Sequence, residues 1–278
     1  MTTFKEIRGQ LIRSVSSDPA NPQLGEIWYN NTIGVLKGYT TIAAAWASGG
    51  NLNNTKDGLA GAGTQTAGLA FGGEDTTPAP SKLTETEEYN GTSWSEQSDL
   101  STARKVPGGL GTQTAALAFG GFNDPGVTIL SSSEEYNGSS WTASNSLSTA
   151  RYALAAGGIQ TAAFAAGGTP STTAVSNSEE YDGTTWTAGN TINTARKDFN
   201  GAGTLTAGII FGGNPTTGAT EQYDGTDWTT SPASLATARR FGAGAGTGSS
   251  ALLAGGQTTA STEEFTEEFF SVQTITTS

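Results

Sequence analysis

Five near-copies of one phrase constrain this chain more than any other feature. Gly111–Gly121 reads GTQTAALAFGG, and the same phrase stands at Gly63–Gly73, Gly158–Gly168, Gly203–Gly213 and, degraded, Gly246–Gly256. Each copy ends in a glycine pair: Gly72-Gly73, Gly120-Gly121, Gly167-Gly168, Gly212-Gly213 and Gly255-Gly256. The pairs lie 48, 47, 45 and 43 residues apart, the signature of one structural unit used five times.

Between Arg104 and Trp141 the unit reads as four strands. Arg104–Gly111 is the first, Thr112–Gly121 the second, Ser133–Tyr136 the third and Ser140–Ala143 the fourth. The last turn is Asn137-Gly138, echoed at Asn90-Gly91, Asp182-Gly183 and Asp224-Gly225, pairs that supply the positive φ of tight hairpins. The second strand is apolar at every position (AGLAF, AALAF, AAFAA, AGIIF, ALLA), so both of its faces need cover. Stacking the units face to face provides that cover, and bending the stack into a ring removes its ends. The expected fold is all-β, a propeller of about five four-stranded blades. Trp94, Trp141, Trp186 and Trp228 would fill the wider space between blades.

The fifth unit has no tryptophan strand of its own, while one tryptophan, Trp46, precedes the first unit. Residues 42–48 are therefore expected to supply the last blade's outer strand, with Glu268–Val272 as the rival segment. The propeller would span residues 42–278. Ahead of it, residues 25–41 read as a β-hairpin turning at Asn30–Gly34, and residues 1–24, with Pro19 and Pro22, as an extended arm.

Composition removes several function classes. The net charge of −12 repels phosphate backbones and anionic lipid, so neither nucleic-acid binding nor membrane insertion is expected. With no Cys and no His, thiolate chemistry, disulfides and the commonest base and metal ligand are unavailable; no metal or cofactor is expected. The first residues carry charges at Lys5, Glu6, Arg8 and Arg13 and do not read as a signal peptide.

Charge placement raises two candidate sites. Lys56, Arg104, Arg151, Arg196 and Arg239 recur where each first strand begins, and could ring the axis as an anion or acidic-sugar site. The alternative is that each pairs with the carboxylates of its own unit, or caps that unit's carbonyls. Glu87-Glu88, Glu134-Glu135 and Glu179-Glu180 resemble catalytic or calcium-binding pairs, but adjacent strand residues point to opposite faces and cannot converge. These pairs read as a solvated edge that discourages edge-to-edge pairing. The long turns between second and third strands, Glu74–Thr86, Phe122–Ser132, Thr169–Asn177 and Asn214–Ala219, are the expected recognition face.

The glycine pair, the Tyr after acidic residues, the Trp five residues later and the Thr-Ala-Arg link resemble the kelch repeat, over about residues 52–266. Kelch-like copper oxidases need His and Cys, and no single place departs from the repeat to build a sialidase-like centre, so no enzyme is expected. Phe4–Gly9 (FKEIRG), Ser16–Pro22 (SSDPANP) and Gly25–Asn30 (GEIWYN) with Leu36-Lys37 resemble the start of virion proteins of tailed, particularly marine, bacteriophages. That resemblance implies a structural virion protein made in the host cytoplasm and carried on the tail or capsid surface. Residues 1–24 would dock it to other virion proteins, and the propeller would contact host surface glycan or protein as a tail fibre or adhesin. A capsid decoration protein and a cellular kelch scaffold are the alternatives.

Overall fold

A computed structural model of the chain describes residues 12–21, 26–38, 48–75, 84–123, 128–257 and 259–267. It divides into two compact units, residues 1–48 and 49–278. Among the described residues every regular element is a strand, and no helix is long and apolar enough to cross a membrane.

The first unit is a three-stranded sheet. Ile27–Asn30 and Val35–Gly38 pair antiparallel as a hairpin around Asn31–Gly34. Arg13–Val15 then adds in parallel on the other side of Ile27–Asn30, Arg13 opposite Trp28 and Val15 opposite Asn30. The described part of the expected extended arm thus includes a strand of the hairpin's own sheet. The cause is local: the Asp18 carboxylate accepts from Trp28 Nε1 (3.0 Å), Asn30 Nδ2 (3.0 Å) and Lys37 Nζ (2.5 Å), tying the segment to both hairpin strands.

The second unit contains the repeats, numbered I to V here. Unit I is Ala60–Thr64, Ala67–Phe71, Thr86–Tyr89 and Trp94–Glu96; unit II is Gly108–Thr112, Ala115–Phe119, Ser133–Tyr136 and Trp141–Ser144. Unit III is Ala155–Ile159, Ala162–Ala166, Ser178–Tyr181 and Trp186–Gly189; unit IV is Asn200–Thr204, Ala207–Phe211, Thr220–Tyr223 and Trp228–Thr230. Each is an antiparallel four-stranded meander. Unit V has three strands among the described residues, Ala243–Gly246, Ser250–Ala254 and Thr262–Thr266. Both segments considered for its fourth strand, 42–48 and Glu268–Val272, lie outside the described residues, save Ser48 at the end of the first.

The first strands begin later than the sequence suggests. Arg104 stands four residues ahead of Gly108–Thr112, and the intervening chain is a link between units. The second strand of unit II is covered on both faces, Ala116, Leu117, Ala118 and Phe119 all being inaccessible to solvent, whereas that of unit V buries only the face of Ala251 and Leu253. First strands of all five units, through Ala60, Gly109, Ala155, Gly201 and Gly244, line one cavity of about 160 Å³. Small residues are required there: a methyl group on Gly109 would sit 2.6 Å from the Ala60 side chain of the neighbouring unit.

Between units, the core is aromatic. Trp141 packs on Phe71 of unit I (4.9 Å between ring centres), Trp186 on Phe119 of unit II (4.8 Å) and Trp228 on Phe164 of unit III (5.4 Å). Each indole also donates backwards, to Thr86 Oγ1 (2.8 Å), Ser133 Oγ (3.0 Å) and Ser178 Oγ (3.4 Å). All ten glycines of the pairs have positive φ. At Gly120 (φ +62°) an added Cβ would lie 2.5 Å from the Arg151 carbonyl, which leaves no room for any other residue.

Candidate recognition face

The basic residue that opens each unit is buried, and its partners are all protein. Arg104, Arg151, Arg196 and Arg239 are at most 2% exposed. Arg151 shows the pattern: Nη1 donates to the carbonyls of Gly167 (3.1 Å) and Asn177 (2.7 Å), and Nη2 to Glu179 Oε1 (2.9 Å). Arg104, Arg196 and Arg239 pair likewise with Glu134 (2.7 Å), Glu221 (2.6 Å) and Glu263 (2.7 Å), and Lys56 with Glu87 (2.5 Å) and Glu85 (3.1 Å). The five side chains therefore do not present a charged ring to an anion, which corrects the anion-site reading. Their charge is spent inside the unit, as the alternative reading had it.

The same residue also ties neighbouring units together. Its carbonyl accepts from the second glycine of the preceding unit: Gly73 N–H to Arg104, Gly121 to Arg151, Gly168 to Arg196 and Gly213 to Arg239, at 2.8–3.0 Å. Burial holds the guanidinium pKa of Arg104, Arg151 and Arg196 below the ordinary value, opposed by the paired carboxylate. At Lys56 burial acts in the same direction, but hydrogen bonds to Glu87 and Glu85 outweigh it and raise the pKa.

The glutamate pairs are not a solvated edge. The first member is buried: Glu134 and Glu179 are 1% and 2% exposed, and their second oxygens accept the link's backbone N–H groups, Ser101 N (2.7 Å) and Ser148 N (2.7 Å). The second member points to the opposite face and takes the next unit's tyrosine hydroxyl: Tyr136 to Glu88 (3.0 Å), Tyr181 to Glu135, Tyr223 to Glu180. Burial first, then the glutamate, raises these phenol pKa values, Tyr181 up to about 12. Unit IV has Gln222 in place of the second glutamate, and unit V has Phe265 in place of the tyrosine. Acceptor and donor are exchanged together.

Two further devices join the units. Gln113 Nε2 donates to the carbonyls of Gly68 (3.0 Å) and Tyr89 (2.8 Å) in unit I, and Gln160 to those of Ala116 (3.0 Å) and Tyr136 (2.7 Å) in unit II. This glutamine was visible in GTQT and GIQT but carried no assigned role. The residue two places after each basic residue, Gly58, Val106, Ala153, Asp198 and Phe241, has left-handed φ of 51–62°. These five are chained by main-chain bonds: Val106 N–H to Gly58 O, Ala153 to Val106, Asp198 to Ala153 and Phe241 to Asp198. Non-glycine residues resist this region, so at Val106, Ala153, Asp198 and Phe241 the bonds hold strained backbone. Sequence offers no hint of it, because the five side chains share no property.

What remains for recognition on this face is the residue after each basic one, together with the long turns. Lys105 is satisfied by Asp57 (2.7 Å) and Glu74 of unit I, and Arg240 by Gln257 (2.6 Å). The turn 169–177 is braced by Thr169 Oγ1, which donates within reach of the Ser171 (2.9 Å) and Thr173 (2.8 Å) carbonyls, leaving Ser171, Thr172 and Thr173 exposed. The turn 214–219 exposes Pro215 and Thr216. These described tips are rich in hydroxyl groups, and Lys197 Nζ donates to the Thr172 carbonyl (3.1 Å). The carboxylates of Glu85, Glu87 and Glu96 lie within 4.8 Å of one another, and the Lys56 ammonium already pairs with the first two, at 3.1 and 2.5 Å.

No protein-family model matches the chain, and no curated protein sequence matches it. Solved structures do. A structure titled "Structure of YjhT" aligns with a TM-score of 0.64 over 75% of this chain and 80% of that one, at 12% identity. At that identity the likeness speaks for the fold alone: an all-β arrangement of four-stranded antiparallel sheets, compatible with a propeller.

Proposed function

We propose that this chain is a non-enzymatic virion protein of a tailed bacteriophage, a tail-associated fibre or adhesin whose repeat body contacts the host surface. The opening sequence, FKEIRG through GEIWYN, carries the reading. Support comes from the division into a small N-terminal sheet and a larger repeat body, suited to attachment and to display. The body reads as a kelch-like ring of about five blades. Three things favour that form: the shared cavity of the five first strands, the chained left-handed residues, and the repeating bonds from unit to unit.

The host contact is assigned to the turn face, where Ser171–Thr173 and Thr216 offer hydroxyl groups to glycan or protein. Purified chain should bind host cells and slow adsorption of a phage that encodes it; failure of both ends the adhesin reading. Deleting residues 1–24 should reduce incorporation into particles, and unchanged incorporation removes docking through that segment.

A further inference from the structure

The left-handed position two residues after each basic one holds Gly58, Val106 and Ala153 in units I to III, but Asp198 and Phe241 in units IV and V. Glycine and alanine serve the backbone there, so the frame itself calls for no aromatic ring. Phe241 holds a φ of 62° all the same, in a region that bulky residues resist, and is 60% exposed. Strained backbone that the frame does not require points to a use for the side chain. Within residues 49–278, the other large hydrophobic residue exposed among the described ones is Ile159, at the far end of a first strand. Phe241 is thus a lone ring on the turn face, where a protein interface would centre on a cluster.

Three polar side chains are fixed around it. The Arg240 guanidinium carbon stands 4.9 Å from the centre of the Phe241 ring, and Arg240 Nε donates to Gln257 Oε1 (2.6 Å). Arg240 Nη1 lies 3.9 Å from Asp198 Oδ2, too far for a hydrogen bond. Main-chain bonds hold the arrangement: Phe241 N–H donates to the Asp198 carbonyl (3.2 Å) and Gln257 N–H to the Arg240 carbonyl (2.8 Å). The second of these repeats the pairing of Lys105 with Phe122 and of Tyr152 with Thr169 at the foot of the earlier turns.

We infer that Phe241, Arg240, Asp198 and Gln257 form a seat for one uncharged pyranose ring of a glycan. With the guanidinium on one side of the Phe241 ring, the exposed side receives the C–H face of the sugar, whose slightly positive hydrogens meet the negative face of the ring. A gap of 3.9 Å lets one sugar hydroxyl accept from Arg240 Nη1 and donate to Asp198 Oδ2, and the Gln257 amide can serve a neighbouring hydroxyl. The Asp198 side chain is only 11% exposed, and burial raises its pKa against Lys197, Asn214 and Arg240, so a hydroxyl reaches a poorly hydrated acceptor. An anionic sugar would face Asp198 and a cationic one Arg240, which leaves the neutral ring.

The seat rests on the host-contact reading only for the source of the glycan. Saturation-transfer NMR of the full chain with the methyl glycosides of glucose, galactose, mannose and N-acetylglucosamine tests it. At least one should receive signal, strongest at the C–H protons of one ring face, with a dissociation constant on the order of 1 mM. Phe241→Ala, a residue the fold already accepts at Ala153, should lose the signal, and Arg240→Ala should weaken binding about tenfold. No transfer to any of the four sugars, or equal transfer to Phe241→Ala, overturns the seat. Adhesion of the chain to host cells separates the two readings. Sugar binding without adhesion removes the adhesin and keeps the seat; adhesion without sugar binding, the mark of a protein receptor, does the reverse.

Discussion

Arg151→Met tests whether the buried basic residue is the element that holds a unit together. The side chain is fully buried and gives up four contacts on substitution: the ion pair to Glu179 and bonds to the Gly167, Asn177 and Ala165 carbonyls. Breaking a buried pair leaves Glu179 charged with only the Ser148 N–H for company, a change of about 3–5 kcal/mol. Glu179→Met leaves the guanidinium unpaired and should cost a similar amount, about 3–5 kcal/mol. The double variant removes both charges and retains only the loss at the carbonyls, about 1–3 kcal/mol. Urea unfolding of all three, with the half-buried Arg240→Ala, which breaks no buried ion pair, as the comparison at about 0–1 kcal/mol, gives the cycle directly. The reasoning is refuted if Arg151→Met costs less than about 1 kcal/mol, or if the two single losses simply add in the double variant.

Other expectations follow from the same contacts. Trp186→Ala should cost about 3–5 kcal/mol by calorimetry or urea unfolding, since its ring fills the II–III core. Val106→Gly should be stabilising by about 0.5–1 kcal/mol, because it relieves left-handed strain exceeding the entropy glycine adds; a loss would contradict the strain. Tyr181 binds its proton more tightly folded than unfolded, so its contribution is whole below pH 10 and lost as pH rises towards 12. Tyr181→Phe should flatten alkaline unfolding in that window. Asp18, held down to about 2 by Lys37, Asn30 and Trp28, supports the N-terminal sheet above the ordinary carboxyl pKa of 3.8 and ceases to as pH falls through 2; carbon NMR of its carboxyl checks the midpoint.

Legibility in the sequence followed repetition of residue type. The glycine pairs, the Asn-Gly and Asp-Gly turns and the doubly apolar second strands repeat a chemical property, and each landed in the expected element. Burial of charge did not show itself. Pairing of Arg151 with a carboxylate of its own unit stood as one reading of the sequence, but nothing in the sequence shows that the pair, 28 positions apart, is enclosed. The glutamate pairs misled for the same reason: alternation correctly sent their side chains to opposite faces, but one face of that strand is buried and the other is half-buried under the next unit's tyrosine. The left-handed position was illegible because it is set by main-chain bonds between units, which place no common demand on Val106, Asp198 or Phe241. The long turns were found by length, yet their character comes from internal bracing such as that of Thr169.

The central claim is that this protein is carried on a phage tail with its repeat body facing the host. Gold-labelled antibody against residues 49–278, imaged on intact particles of a phage that encodes the chain, tests it most directly. The account predicts label at the tail tip or fibres. Label spread over the head, or particles that carry none, would contradict it.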